Sequence, residues 1–110
     1  MGKPKLTPAQ ELLRIHIFEL GHSPVVPEYK FCAWRKFKFD LYVPSLRMGF
    51  ECDGGQFGGG HMRGKALEQQ YEKDRLAQLL GFRVMRFTNR EVLTGAAKDF
   101  LKPWIAEKGK

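Results

Sequence analysis

The first apolar stripe along the chain predicts a helix near its beginning. The segment Thr7-Pro8-Ala9-Gln10 combines an N-cap residue, a proline at the first helical position and a capping-box glutamine. Apolar residues then recur at helical spacing as far as Leu20, and Gly21 favours a stop. We therefore predict a first helix from about Pro8 to Leu20.

The middle of the chain repeats with the two-residue period of a β-strand. Strand-like residues occur around 29–33, and a sharp alternation follows from Trp34 onward. After a turn at Pro44-Ser45, a second alternation puts Phe50 on the opposite face from Glu51. The two runs predict a hairpin whose first strand has Phe37, Phe39 and Leu41 on one face and Lys36, Lys38 and Asp40 on the other.

The second half of the chain predicts a helix, a strand and further helical segments. A helix should cover about Ala66 to Leu80, and a strand should follow from Phe82 to Phe87. Thr88-Asn89-Arg90-Glu91 is a capping box, and a last amphipathic segment should be interrupted near Pro103. The predicted fold is one α/β domain over residues 1–110, with helices flanking a mixed central sheet.

Composition and charge narrow the classes of partner. Nineteen Lys and Arg against twelve Asp and Glu give a formal net charge of +7, which favours a polyanion such as nucleic acid. We see no apolar run of membrane-spanning length and no signal peptide, so we expect a soluble, cytoplasmic protein. Cys32 and Cys52 lack metal-type spacing and are expected to be buried free thiols.

Two acidic residues on the hairpin indicate metal chemistry. Asp40 lies on one arm and Glu51 on the other, both on polar positions, so their carboxylates can converge. Two carboxylates close together repel unless a cation lies between them. Hard oxygen ligands suit Mg²⁺, with Mn²⁺ as a substitute, and such a metal activates water for hydrolysis of a phosphodiester.

Four segments carry a resemblance to a known family. They read FD at 39–40, FECDGG at 50–55, HMRG at 61–64 and GFRVMRF at 81–87. Over roughly residues 8–93 the chain resembles the very-short-patch-repair-like branch of the PD-(D/E)XK nuclease superfamily. The resemblance implies a restriction-endonuclease-like αβββαβ core in which Asp40 and Glu51, with the backbone carbonyl of Cys52, ligate the metal.

The resemblance also concerns residues around the metal. In archaeal-type Holliday junction resolvases a glutamate on the first helix often reaches the metal through water, a role that would fall to Glu11. The alternative is that Glu11 only favours the helix N-terminus electrostatically. Where the family motif ends in lysine this chain has Asp53, which can bind a second metal or orient a water.

The missing motif lysine leaves open which group positions the attacking water. Lys38 lies two residues before Asp40, and Lys73 lies on the second predicted helix, so either can reach the site. Gln56 and His61 are further candidates. In very-short-patch-repair-like relatives the lysine is also absent and a histidine is implicated, which favours His61, although His61 can instead only contact phosphate.

Basic residues and a glycine-rich loop provide candidate DNA contacts. The stretch 54–60 has five glycines in seven positions, so we expect a mobile loop there. Phe57 near its centre can stack on or wedge into bases, or contact a protein. The remaining predicted DNA contacts are Arg35, Lys36, Lys38, Gln56, Arg63, Lys65 and Lys73.

These features favour a metal-dependent endonuclease that recognises DNA shape. The preferred prediction is cleavage of branched DNA by a homodimeric Holliday junction resolvase. Apolar residues near the C-terminus can form the dimer interface or fill the protomer core: Phe100, Leu101, Trp104 and Ile105. The alternatives are a monomeric mismatch or nicking endonuclease of the very-short-patch type and a non-catalytic DNA-binding module, while RNA is disfavoured as a substrate.

Overall fold

The computed structural model describes residues 5–54 and 64–107, which fold as α-helices around a mixed sheet. In this part of the chain no helix is both long and apolar enough to cross a bilayer. The elements follow the predicted order: the capping box at Thr88 opens a short helix, and the last amphipathic segment forms another. Their bounds are α1 Pro8–Glu19, β1 Val26–Lys30, β2 Lys38–Val43, a 3₁₀ turn Pro44–Leu46, β3 Met48–Asp53, α2 Lys65–Leu79, β4 Arg83–Thr88, α3 Asn89–Leu93 and α4 Ala96–Ile105.

The sheet has its strands in the order β1, β2, β3, β4. The first three strands form antiparallel pairs, and α2 crosses over to β4, which pairs parallel to β3. Leu41 lies opposite Phe50 in the β2–β3 hairpin, and Glu51 lies opposite Arg86 in the parallel pair. The predicted hairpin is confirmed. The parallel pairing places Arg86 beside Glu51, the acidic residue on the second strand of the hairpin.

Both predicted capping boxes are confirmed. The Thr7 hydroxyl accepts from the Gln10 backbone N–H at 3.2 Å, and the Gln10 side chain accepts from the Thr7 N–H at 3.0 Å. Thr88 and Glu91 repeat the arrangement at 3.0 and 2.9 Å. Each box satisfies backbone donors that have no partner inside the helix, which is why α1 and α3 start where the sequence indicates.

Three boundary predictions were wrong. The first strand covers 26–30 rather than 29–33, and the second starts at Lys38, because the β1–β2 ladder ends where Lys30 faces Lys38. Residues 31–37, including Trp34, therefore form the connecting turn. The last helix continues through Pro103 to Ile105, because the packing of buried Leu101 and half-buried Ile105 against the core outweighs the lost backbone hydrogen bond.

The two faces of the sheet are covered by different helices. Helices α1, α3 and α4 cover one face, which we call the apolar face, while α2 covers the other. The buried residues of the apolar face are Ala9, Leu13, Ile17, Leu20, Leu41, Val43, Met48, Phe50, Phe87, Val92, Ala97 and Leu101. Under α2 an aromatic cluster is formed by Phe31, Cys32, Phe39, Tyr42 and Ala77, with Phe37 and Phe82 packed against it.

The predicted alternation along β2 breaks at Asp40. Phe39 belongs to the aromatic cluster under α2, whereas Leu41 belongs to the apolar face, so the prediction that they share a face was wrong. Gly49 makes room for the Phe39 ring, since a Cβ at this glycine would lie 2.3 Å from it. Opposite Asp40, Glu28 adopts a φ of 50°, a conformation that interrupts regular pairing. Asp40 therefore lies at a local irregularity of the strand.

The C-terminal end of α2 is tied to the turn between β2 and β3 by Arg47. Its guanidinium donates to the carbonyls of Leu80 and Gly81 at 3.0 and 2.9 Å. The same group lies over the Phe82 ring, 4.6 Å from the centroid. Because carbonyls at a helix end have no partner inside the helix, this contact fixes α2 against the hairpin.

Candidate functional site

Asp40 and Glu51 lie side by side on the antiparallel strands β2 and β3. The pairing of Leu41 with Phe50 puts the two acidic residues at neighbouring positions. Asp40 Oδ2 accepts a hydrogen bond from the backbone N–H of Cys52 at 2.8 Å. The carboxylate of Asp40 is thus held against β3 by Cys52, the residue that directly follows Glu51.

Glu51 is a buried acidic residue with an incompletely satisfied carboxylate. It is 6% exposed, and its Oε2 atom has no hydrogen-bond partner among the described residues. The Lys73 ammonium lies 2.9 Å from this oxygen without hydrogen-bond geometry, so the contact is an ion pair. Burial raises the pKa of Glu51 to about 7; the Asp40 charge adds to the rise and the Lys73 charge opposes it.

Lys73, and not Lys38, is the lysine that the structure brings to the two carboxylates. Lys73 projects from α2 and its side chain is only 18% exposed. Lys38 instead forms an ion pair with Glu28 at 3.2 Å, with both side chains about half exposed. The sequence offered two lysines as replacements for the motif lysine. The one that lies at the site is Lys73, on α2.

Asp53 is held by an arginine that the sequence reasoning missed. Arg86 on β4 donates to Asp53 at 3.1 Å and binds both oxygens of Asp74 on α2, at 2.8 and 3.2 Å. This arrangement gives Asp53, which the sequence suggested for a second metal or a bound water, a cationic partner that it shares with Asp74. The available signal was a basic residue inside the short apolar run at 84–87.

A cavity of about 270 Å³ adjoins Glu51 between α2 and the sheet. Strand residues form its floor and the first turns of α2 form one wall, with an aromatic ring from the β1–β2 turn at its side. Its lining consists of Phe37, Glu51, Asp53, Ala66, Gln69, Gln70, Lys73 and Arg86. The cavity gives a small polar group direct access to Glu51 and Lys73.

The donor set fits a hard divalent cation. Asp40 and Glu51 supply carboxylate oxygens, and the buried oxygen of Glu51 lacks a directed partner. Within residues 5–54 and 64–107, no three His, Cys, Asp or Glu side chains are grouped to hold a metal ion. The described chain therefore offers two carboxylates, a number typical of Mg²⁺ sites that are completed by water and phosphate. Cys52 is a free cysteine, and burial raises the pKa of its thiol to about 12.

Glu11 has a partner on its own helix. Its carboxylate forms an ion pair with Arg14, three residues later on α1. Helix α1 covers the apolar face, whereas Glu51 and Lys73 meet on the α2 side of the sheet. A water-mediated role of Glu11 at the metal stays a prediction.

The predicted DNA contacts fall into two groups. Arg35 pairs with Glu72 on α2, and Lys36 and Lys65 are exposed near the cavity. Four further predicted residues lie outside the described part of the chain, namely Gln56, Phe57, His61 and Arg63. Among the described residues, the structure thus leaves Lys36 and Lys65 exposed near the cavity and pairs Arg35 with an acidic residue.

Comparisons with known proteins give no relative for this chain. No protein-family model, no curated protein sequence and no solved structure matches it. Arguments about its function therefore rest on the residues of the site.

Proposed function

We propose that this protein is a metal-dependent DNA endonuclease that hydrolyses phosphodiester bonds. The observation that carries the proposal is the pairing of Asp40 with buried Glu51, whose Oε2 lacks a directed hydrogen bond. Burying a carboxylate costs free energy even beside a lysine, and a buried carboxylate with a raised pKa that lines a cleft is a candidate for a functional group. The resemblance to the PD-(D/E)XK superfamily, with its restriction-endonuclease-like core, is consistent with this reading.

Each residue of the site has a proposed role. Asp40 and Glu51 hold Mg²⁺, for which Mn²⁺ substitutes, and the bound metal supplies Lewis acidity and an activated water. Lys73 takes over the part of the motif lysine, because its ammonium beside Glu51 can donate hydrogen bonds to the attacking water or to a phosphate oxygen. Arg86 is a positioning residue that keeps Asp53 and Asp74 in place.

Branched DNA is the proposed substrate. The net charge of +7 favours a polyanion, and Lys36 and Lys65 leave exposed cations near the cavity for backbone phosphates. A four-way junction is preferred because two copies of the enzyme can cut its strands symmetrically. A nick at a mismatch is the alternative outcome, as in very-short-patch-type enzymes.

The homodimer proposed with this function uses the C-terminal helix. Trp104 is 78% exposed and Phe100 is 54% exposed, whereas Leu101 is buried in the protomer and is not available for an interface. An apolar groove of about 290 Å³ lies between β4 and these two aromatic residues. Sedimentation of the wild-type protein and of Trp104→Ser tests the assignment: a wild-type dimer that the substitution dissociates supports it, and a wild-type monomer contradicts it.

The decisive experiment is cleavage of labelled four-way junction, mismatched, nicked and linear duplex DNA, with Mg²⁺ or EDTA. Asp40→Asn and Glu51→Gln should each reduce cleavage at least about 100-fold, since even outer-shell partners of a metal contribute about 10- to 100-fold. Both variants should also lose Mn²⁺ binding in calorimetry while keeping the far-UV spectrum of the wild type. Retained cleavage in either variant contradicts the metal assignment.

Matched controls come from exposed acidic residues. Asp99→Asn on α4 and Glu68→Gln on α2 make the same chemical changes away from the cavity lining and should leave cleavage unchanged. Paired cuts confined to the junction support the resolvase, and single cuts at the mismatch support the nicking enzyme. DNA binding without any metal-dependent cutting would instead identify a non-catalytic binding module.

A further inference from the structure

The turn between β1 and β2, residues 31–37, carries an exposed tryptophan next to the candidate site. Trp34 is 68% exposed, although Phe31 and Cys32 in the same turn are 7% and 3% exposed. Phe31 and Cys32 fill the core beneath the turn, so the side chain of Trp34 is left on the surface. The indole is therefore available to a partner.

Several contacts hold this turn in place. The Phe31 ring stacks on the Phe39 ring with centroids 4.2 Å apart. Arg35 pairs with Glu72 on α2, and its guanidinium lies 4.4 Å from the centroid of the Phe37 ring. Residues on both sides of Trp34 are thus fixed, so the turn loses less conformational entropy when a ligand binds the indole.

The same turn forms a wall of the cavity beside the carboxylates. Phe37 lines the cavity together with Glu51 and Lys73. The Cα atoms of Trp34 and Phe37 are three residues apart, so they are separated by at most ~11 Å. Trp34 therefore lies close to the wall of the cavity that Glu51 also lines, on the same side of the site.

The chemistry around Trp34 fits an unpaired nucleotide. An indole face offers stacking to any base that is not already stacked in a duplex. The exposed Lys36 and the half-exposed Lys38 can contact the backbone of the same strand. The amides of Gln69 and Gln70 in the cavity add polar groups that can hydrogen-bond to a base or sugar.

We propose that Trp34 is a stacking platform for an unpaired DNA base next to the phosphate to be cut. The location of that phosphate rests on the proposed function. The protein then selects DNA with unpaired nucleotides at the cleavage point, such as a fork, a gap or an open junction, over continuous duplex. Stacking on Trp34 contributes to this selection without reading the base sequence.

Tryptophan fluorescence tests the platform directly. In the Trp104→Phe background Trp34 is the sole tryptophan, and EDTA prevents any metal-dependent cutting during titration. Sixteen-nucleotide oligothymidylate should quench its emission more strongly than a hairpin duplex of similar length. Equal quenching by both probes, or no quenching, overturns the proposal.

Affinity measurements on variants complete the test. Trp34→Ala should weaken binding of oligothymidylate by roughly 10- to 100-fold, as expected from base stacking, and binding of duplex by less than about threefold. Trp34→Phe should restore most of the affinity, and Phe18→Ala, at an aromatic residue of α1 that is 62% exposed, should leave both affinities unchanged. An equal loss on both probes overturns the stacking role, and tighter binding of oligouridylate than of oligothymidylate overturns the assignment to DNA.

The two proposals fail in different ways. If Trp34 is quenched as expected but the wild type cuts no DNA with Mg²⁺, the endonuclease is wrong and the stacking surface stands. If the wild type cuts DNA and Trp34→Ala binds and cuts forked DNA as well as the wild type does, the stacking platform alone is wrong.

Discussion

The two faces of the sheet contrast in what they bury. The apolar face under α1, α3 and α4 buries hydrophobic side chains, among them Leu13, Ile17 and Phe50 at 0% exposure. The face under α2 is divided between the aromatic cluster around Phe39 and a group of charged residues around Glu51. Each face is closed by helices, yet within residues 5–54 and 64–107 the buried carboxylate, that of Glu51, lies on the α2 face.

The difference shows how a small protein can accommodate an unfavourable site. Removing apolar surface from water stabilises the fold, whereas burying the Glu51 carboxylate opposes folding, as its raised pKa indicates. The Lys73 charge lowers the cost of burying this carboxylate and the Asp40 charge raises it, and the pKa of Glu51 remains raised. We infer that the burial of hydrophobic side chains on the apolar face offsets the free-energy cost of the buried charge on the α2 face.

The largest effect is expected on the apolar face. Leu13→Ala should lower the free energy of unfolding by about 3 kcal/mol, because it removes fully buried methyl groups and leaves a cavity. Leu79→Ala, at a leucine that is 84% exposed, should change it by less than about 0.5 kcal/mol. Urea denaturation measures both, and a cost below about 1 kcal/mol for Leu13→Ala would contradict the assignment of the core.

The boundary between hairpin and aromatic cluster should be the next most sensitive point. Gly49→Ala places a Cβ 2.3 Å from the Phe39 ring, so we expect a cost of about 1 to 3 kcal/mol from overpacking. Phe39→Leu combined with Gly49→Ala should recover part of this loss. Costs that are simply additive in the double variant would show that the two side chains do not compete for space.

The charged part of the α2 face should respond with the opposite sign. Replacing Glu51 and Lys73 together with methionine should leave the metal-free protein as stable as the wild type, or more stable by up to roughly 2 kcal/mol. Lys73→Met alone should be less stable than the double variant, because it leaves Glu51 without its counter-charge. Urea denaturation in EDTA measures all three proteins, and a marked loss in the double variant would make the ion pair a net stabiliser.

The smallest effect concerns a histidine on α1. Burial lowers the pKa of His16, with the Lys98 ammonium adding and Glu19 opposing, so the folded protein binds this proton less readily than the unfolded chain. The contribution of His16 to stability is therefore fully present above its ordinary pKa of 6.5 and is lost as the pH falls below it. His16→Gln should lose less stability than the wild type between pH 7.5 and pH 5. Parallel pH profiles of melting temperature would exclude this role.

Local signals made much of the fold predictable. The capping boxes at Thr7 and Thr88 and the alternation from Met48 to Asp53 depend on residues a few positions apart, which a sequence displays directly. The break at Asp40 was not predictable in this way. It depends on Gly49 opposite Tyr42 and on the space that this glycine leaves for Phe39, which is known only when the strand register is known.

The candidate site was predictable to the same extent. Asp40 and Glu51 lie on the two strands of the predicted hairpin and the structure brings them together through the strand register, although the alternation that pointed to Asp40 is broken there. The choice of Lys73 over Lys38 and the contacts of Arg86 depend on how α2 crosses from β3 to β4. Such long-range contacts leave no periodic trace in the sequence, so charge and spacing alone could not rank the basic residues.

The bridge made by Arg86 has a consequence for engineering. One guanidinium joins Asp53, at the end of β3, to Asp74 on α2, so it connects the two elements that flank residues 55–63. Glu51 and Lys73 lie within these joined elements, so the Arg86 contacts help to fix their separation. We therefore expect β3 and α2 to keep their spacing when the segment between them is exchanged for one of different length or sequence, as in a loop library.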